Sequence, residues 1–386
     1  MPIDRTKLSK GFSGDVSKLF LRDAEFFKQG QIEVMCGVKV TSVDTAKCCV
    51  TLSSGSSLGY KNLILATGSE ARRLSVEGSD LGNIFAMRTA KDSSSILESI
   101  EKNGKKPKIV VIGTSFIGME AASFLVGQAE SMTVIGIEKV PFQRVLGESV
   151  GLALQRLHES NGVKIKISSS VARFEPSPND PGRVGGVVLE SGEVISADIV
   201  ILGVGVRPLT DFLKGCSGVT LEKDGSVLVN DRMQLPHCPN IDAVGDIARF
   251  PLDMLDGHVT RIEHWCVAQQ QGRVAAKNIC GNLTRYDFIP FFWTSMFGKS
   301  IRYCGHALDY DRVIIQGGDL ATLPADSLSF VAFYVKGEKI LAVASLARDP
   351  VVAHAALLFK AKKMPKVSDL VDENGNVSFD ILSIKA

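Results

Sequence analysis

The stretch KIVVIGTSFIGMEAASFL, Lys108–Leu125, constrains the fold of this chain more than any other. A β-branched run that stops at a glycine and passes at once into an alanine-rich segment reads as strand, tight turn and helix. Gly113 permits the turn out of the strand, Gly118 permits close helix–sheet packing, and the amides at the helix start face outward toward an anion, aided by the helix dipole. Ser115 stands where the dinucleotide-binding pattern has its middle glycine; its Cβ crowds the approach of a pyrophosphate, while its hydroxyl can donate to a phosphate oxygen. An ordinary strand-to-helix turn shares this outline, so the flanking pattern has to decide between the two.

The flanking pattern is an alternation: strand 108–112, helix about 118–128, strand 131–137, helix about 148–160 and strand 163–167. Such an order predicts a parallel sheet with crossover helices. An antiparallel excursion through GGVVLESGEVI then leads to a buried strand at 198–205. In a dinucleotide domain an acid about 20 residues beyond the loop receives the ribose hydroxyls. The strand MTVIGIEK offers Gly136 and Glu138 there: with Glu138 as the acid NADH is preferred, and with Gly136 at the position a 2′-phosphate is not repelled.

Upstream, IEVMCGVKVTSVD, KCCVTLSSG and KNLILATG (31–68) read as short strands, and Ala90–Asn103 as a helix with Ile96, Leu97 and Ile100 on one face. Downstream come a short strand at IDAVGD, a helix near 266–280, and from Pro290 an α+β texture ending in a helix near 350–362. Two further buried runs end in small residues, LILATGS with Thr67 and Gly68, and VILGVGVRP with Gly203 and Gly205; alone, each is a packing turn as readily as a cofactor contact. In IDAVGDIA, Asp246 follows Gly245, where a carboxylate can accept from a sugar-like hydroxyl chain. The four motifs together form a set that chance does not readily assemble.

With 44 basic and 42 acidic side chains there is no single-signed field, which disfavours nucleic acid and anionic membranes as partners. No apolar run approaches the roughly 18 residues of a membrane span, and MPIDRTKLSKG lacks a signal-peptide core, so an intracellular chain, cytoplasmic or mitochondrial, is expected. The eight cysteines include no C-x-x-C pair; neither a metal site nor a dithiol redox centre is expected.

These motifs resemble those of the two-dinucleotide-fold flavoprotein reductases, closest to the branch holding the apoptosis-inducing factors and the ferredoxin reductases of oxygenase systems. The blocks DRTKLSK (4–10), GTSFIGMEAA (113–122), PFQRVLGESVG (141–151), IEHWCVAQQQGRVAAKNI (262–279) and FFWTSMFGKSIRYCGHA (291–307) carry the likeness through nearly the whole chain. The resemblance implies an α/β fold with two Rossmann-like dinucleotide domains and a C-terminal α+β domain. It divides the chain into an FAD-binding part at 1–105, an NAD(P)-binding part at 106–230, a second FAD-binding part at 231–289 and the reductase domain at 290–386. In this family a strand, a G-x-G-x-x-G loop, a helix and a second strand precede the DRxxLSK block, which here begins at Asp4, so an N-terminally truncated FAD domain is expected.

By the same resemblance, Thr67, Gly68, Gly245 and Asp246 line FAD, and Arg5 sits near its phosphates. Lys10 and Glu120 pair beside flavin N5, and Phe116 lies over the isoalloxazine. His264 and Trp265 stand near the pyrimidine end, and Trp293 closes the site. Gly113, Ser115, Gly118, Gly203 and Gly205 contact NAD(P)H. Lys10, Glu120 and His264 are the implied catalytic residues. Without the resemblance, Lys10 and Glu120 read as surface charges, and His264 and Trp293 as core residues. The implied activity is transfer of hydride from NAD(P)H to flavin and of electrons onward to a ferredoxin-like or Rieske protein or a quinone-like oxidant. A non-catalytic NAD(H)-binding or pro-apoptotic signalling remnant is the alternative.

Overall fold

The computed structural model describes every residue except 12–14, 373–376, 378 and 386. Its centre is a five-stranded parallel sheet in the order Ile84–Ala86, Ile199–Leu202, Lys108–Ile112, Ser131–Ile135, Val163–Lys166. Strands this rich in valine and isoleucine are buried on both faces. Helices Phe116–Leu125 and Gln143–Ser160 contribute Met119, Leu125, Leu146 and Leu154 to the core on one face. The antiparallel ribbon Val171–Ser177, Asp180–Leu189 and Val194–Ser196 contributes Phe174, Val187 and Leu189 to the other. Strand Ile84–Ala86 and helix Ala90–Lys102, whose start is a Thr89–Asp92 capping box, belong to this unit, on the far side of the expected border at 105. A three-residue strand leaves little periodicity to read, which is why it escapes the sequence.

The first unit repeats half of that plan. Its ribbon Val40–Asp44, Cys49–Leu52, Ser57–Gly59 precedes a parallel strand, Leu63–Leu65, paired with Cys238–Ala243. Val227–Leu228 pairs with Ala248–Leu252 and so falls in this unit, ahead of the expected border at 230. In the central unit the segment before the ribbon, Val163–Lys166, is a sheet strand; its counterpart at 31–39 lies in no strand, with Ile32, Val34, Met35 and Val38 exposed. Alternation alone predicts a strand there, but a strand needs a neighbour, and among the described residues only Lys39 has one, its carbonyl accepting from Ser53 N at 2.7 Å.

The C-terminal unit is an antiparallel sheet in the order Phe291–Met296, Lys299–Gly305, Lys339–Leu346, Phe330–Lys336, Arg312–Gln316, backed by helix Val351–Lys360. Its first hairpin turns through Phe297 and Gly298, both at positive φ (51° and 72°), the geometry of a type I′ turn. Phenylalanine in place of the usual asparagine hides that turn from the sequence. One face of the sheet packs directly on the helices of the central unit: Tyr303, Phe330 and Tyr334 share a core with Met119 and Leu146, and the Tyr334 hydroxyl donates to Leu146 O at 3.0 Å.

One buried carboxyl stands out. Asp242, 2% exposed on strand Cys238–Ala243, has an oxygen with no hydrogen-bond partner, and burial raises its pKa to about 7. Because the folded-state value lies above the unfolded one, the native state holds the extra proton between about pH 4 and 7, and stability falls as pH rises through that window. The loss is roughly 3–4 kcal/mol across the window. Asp242→Asn should therefore melt at a higher temperature than wild type at pH 8, with a margin less than half as large at pH 5, measured by circular dichroism.

Candidate functional site

The order of the central sheet reverses between Lys108–Ile112 and its neighbour Ile199–Leu202, and the crevice at their carboxyl ends is where doubly wound sheets take ligands. Gly113, Gly118 and Gly203 meet there. A Cβ on Gly113 (φ 115°) would stand 2.3 Å from Gly203 O, one on Gly118 2.1 Å from Gly113 O, and one on Gly203 3.0 Å from Gly118 N. Gly113 and Gly118 are therefore required by backbone contact alone, and Gly203 stands at the limit of such a contact. Gly205 (φ 88°) faces open space, and Ser115, the exposed N-cap of helix Phe116–Leu125, makes no side-chain cap bond, so its hydroxyl is free at the helix mouth.

Thr114, between Gly113 and Ser115, is 3% exposed and donates from Oγ1 to Glu138 Oε2 at 3.1 Å. Arg144 Nε lies 3.1 Å from Glu138 Oε1. A Cβ on Gly136 would strike the Thr114 side chain at 2.4 Å. Of the two positions left open by the sequence, Glu138 is thus the one that brings a carboxylate to the loop, and Gly136 is small because Thr114 lies against it.

The same helix continues from the crevice into a second site. Phe116 and Glu120, one turn apart, share a face. Phe116 packs against Phe142 and Phe292, with ring centroids at 5.1 and 5.0 Å. Glu120, 4% exposed, lies 2.8 Å from Lys10 Nζ and accepts hydrogen bonds from Ser9 Oγ and Thr294 Oγ1. Lys10 Nζ is 5.6 Å from the centre of the Trp293 ring, which is 53% exposed. The Lys10–Glu120 pair is therefore not a pair of surface charges. Ser9 and Thr294 carry no motif signal; neutral hydroxyls next to a lysine and a tryptophan are identified only by their position in space.

His264 caps helix Trp265–Ile279 without a side-chain cap bond, and its ring lies 4.7 Å from that of Phe292. Burial, with a smaller push from His306, brings its pKa down to about 4, so the imidazole is neutral at pH 7. Its Nδ1 is buried with no partner. Trp265 is half-buried beside it.

A third cluster lies around Gly68. Asp246 follows Gly245 (φ 75°), whose N–H donates to Gln271 Oε1 at 2.7 Å. Arg88 Nη2 lies 2.5 Å from Asp246 Oδ2 and 2.6 Å from Ser69 Oγ, and Arg88 Nε donates to Ser69 O at 2.8 Å. Arg5 Nη2 is 3.8 Å from the same carboxylate. A Cβ at Gly68 (φ 67°) would lie 3.8 Å from both guanidinium groups. Thr67, exposed, donates to Leu209 O at 2.7 Å. Arg88 is missing from the sequence-based set; it precedes a capped helix and its partner is 158 residues away.

These side chains fit the flavin, ribityl and phosphate end of FAD: two guanidinium groups beside a glycine turn, a carboxylate for hydroxyls, and a buried, unpartnered imidazole nitrogen next to an aromatic wall. The adenosine end finds no glycine loop in the first unit among the described residues. The switch-point crevice, with Ser115 and Glu138, fits a second dinucleotide. No group of histidine, cysteine or acidic residues suited to a metal is present among the described residues, and no helix among them is long and apolar enough to cross a membrane.

Comparison with known proteins gives two matching family models: "Pyridine nucleotide-disulphide oxidoreductase" over residues 1–272 and "Reductase C-terminal" over 291–378. Apoptosis-inducing factor 3 of Homo sapiens is 39% identical over 92% of this chain and 56% of its own length, so the chain spans little more than half of that relative. Putidaredoxin reductase of Pseudomonas putida is 31% identical over 98% of this chain and 88% of its own length. Among solved structures, a ferredoxin reductase from Rhodopseudomonas palustris (26% identity, 97% of this chain, 89% of that chain) superposes with a TM-score of 0.87. A covalent putidaredoxin reductase–putidaredoxin complex gives the same score at 27% identity, covering 97% of this chain and 88% of that one.

Arg88→Met retains the aliphatic stem and removes the charge from a largely buried carboxylate. The variant should lose about 2 kcal/mol of stability in urea denaturation at pH 7. Arg88→Lys should recover only part of it, because an ammonium cannot reach Asp246 and Ser69 as a planar fork does.

Proposed function

The chain belongs to the pyridine nucleotide-disulphide oxidoreductase family, and from that membership and the geometry of the site we propose that it is an FAD-dependent NAD(P)H oxidoreductase passing electrons to a carrier protein. The observation that carries this reading is the buried pair that Lys10 of the first unit makes with Glu120, on the helix that starts at the switch-point crevice. FAD, when bound, would accept hydride from NAD(P)H and release electrons singly to an acceptor.

The chain's own residues prepare that exchange. Lys10 would place a positive charge beside flavin N5, and Glu120 fixes the ammonium in place, a preorganised field of the kind that stabilises developing negative charge. Phe116 and Phe292 wall the site, Trp293 covers its solvent side, and Trp265 flanks the helix start. His264, neutral, presents an unpartnered ring nitrogen at the pyrimidine end. Arg5, Arg88 and Asp246 hold the ribityl and phosphate end around Thr67, Gly68 and Gly245. Gly113, Ser115, Gly118, Gly203, Gly205 and Glu138 receive NAD(P)H, and the carboxylate of Glu138 favours the unphosphorylated ribose of NADH.

A ferredoxin-like or Rieske protein is the proposed acceptor. The names of the relatives support this choice, since several are reductases of small electron carriers. A cytoplasmic or mitochondrial setting is in keeping with the eight cysteines, all free. The exposed segment at 31–38, which lies in no strand, favours a second reading, a non-catalytic NAD(H)-binding protein, because the first unit is the part that would hold the adenosine end of FAD.

Purified chain should show flavin absorption bands that bleach on anaerobic addition of NADH; a colourless, folded protein that binds NADH selects the second reading. In the flavin-loaded protein, Glu138→Ala should reduce the ratio of kcat/KM for NADH over NADPH by about tenfold. Arg144, released from its partner, becomes available to a 2′-phosphate. An unchanged ratio removes Glu138 from the ribose site.

A further inference from the structure

We infer that Ser9 and Thr294 are positioning residues that hold the Glu120 carboxylate at the junction of the three units and thereby fix the Lys10 ammonium and the Trp293 ring that flank it. The inference rests on the proposed oxidoreductase reading for its functional consequence, but its structural part stands on the contacts alone.

The carboxylate receives donors from both other units. Glu120 sits on helix Phe116–Leu125 of the central unit, Ser9 and Lys10 come from the first unit, and Thr294 comes from strand Phe291–Met296 of the C-terminal sheet. Oε1 takes Lys10 and Thr294, and Oε2 takes Ser9. A single ammonium leaves most of a carboxylate's lone pairs unmet, and a buried ion pair is stable only when the remaining sites are satisfied. Two hydroxyls meet them without adding charge, so the pair retains one positive and one negative group.

The sequence neighbours make the arrangement a clamp. Ser9 and Lys10 are consecutive, and both reach the same carboxylate. Trp293 and Thr294 are consecutive on a strand, so they point to opposite faces; Thr294 is 1% exposed and bonded inward, and Trp293 is 53% exposed. Thr294 is held by its pairing with Ile301 across the hairpin. Anchoring Thr294 therefore sets where Trp293 stands, and Trp293 in turn lies 5.6 Å from Lys10 Nζ. Phe297 N, one turn of the hairpin further, donates to Ser123 Oγ at 2.9 Å, a second tie between the same helix and the same strand pair.

The test uses Thr294→Val, which keeps the shape and removes the donor, with Thr294→Ser as the variant that restores it and Ser9→Ala as an independent probe. In protein as purified, Thr294→Val should lower the melting temperature by about 2–4 °C, Thr294→Ser should stay within about 1 °C of wild type, and in a Glu120→Ala background Thr294→Val should cost nothing further. A melting temperature unmoved by both Thr294→Val and Ser9→Ala, or a loss that persists undiminished without Glu120, overturns the inference, whether or not flavin is present. In flavin-loaded protein the limiting rate of bleaching by NADH should fall about tenfold in Thr294→Val and recover in Thr294→Ser, with the NADH concentration for half-maximal rate within twofold of wild type. Equal loss in both variants, or a change confined to the half-maximal concentration, refutes the positioning role. Absence of flavin from every variant and from wild type rejects the oxidoreductase reading and leaves the melting cycle to decide the clamp.

Discussion

The burial of one carboxylate organises this molecule. Removing Glu120 from water costs several kcal/mol unless donors replace the lost hydration, and the donors come from both of the other units. The meeting of the units is thus written into the electrostatics of a single side chain. Because Glu120 sits one turn beyond Phe116 on the helix that leaves the dinucleotide loop, the crevice and the junction are joined by about 6 Å of rigid helix. A change at one end is a change at the other.

Much of the central unit is legible in the sequence because its elements have strong periods. The strands at 108–112, 131–135, 163–166 and 199–202 and the helices after the first two fall close to their expected places. The continuous helix after Gly147 begins at 148, as expected; the turn before it, from Gln143, is set off by Gly147 (φ 75°), against which Tyr310 of the C-terminal unit packs, and a tertiary contact of that kind leaves no periodic trace. Strand Ile84–Ala86 and the hairpin through Phe297 and Gly298 escape for related reasons, one too short and the other lacking the usual turn residue.

The site divides along the same line. Glycines that must admit a neighbouring backbone announce themselves, as Gly113, Gly118 and Gly203 do. Lys10 and Glu120, 110 positions apart in the chain, are individually uninformative, and only the resemblance to a family brought them together before the structure did. Ser9, Arg88 and Thr294 act through contacts whose partners are 111, 158 and 174 residues distant, and nothing local distinguishes them from surface residues. The two dinucleotide-type units share a plan of ribbon and return strand with no visible sequence repeat, because burial, not residue identity, is what the plan repeats.

The three interlocked glycines bear on how such a chain can change over time. A side chain at Gly113 or Gly118 would displace the backbone of another member of the set, and one at Gly203 would press on Gly118, so replacement at any of the three strains the loop. Adaptation at the crevice is driven outward to positions that the interlock leaves free: Ser115, whose hydroxyl is uncommitted, and Arg144, which is largely solvated. On the proposed reading, a preference for one nucleotide over another can drift there while the loop itself stays fixed.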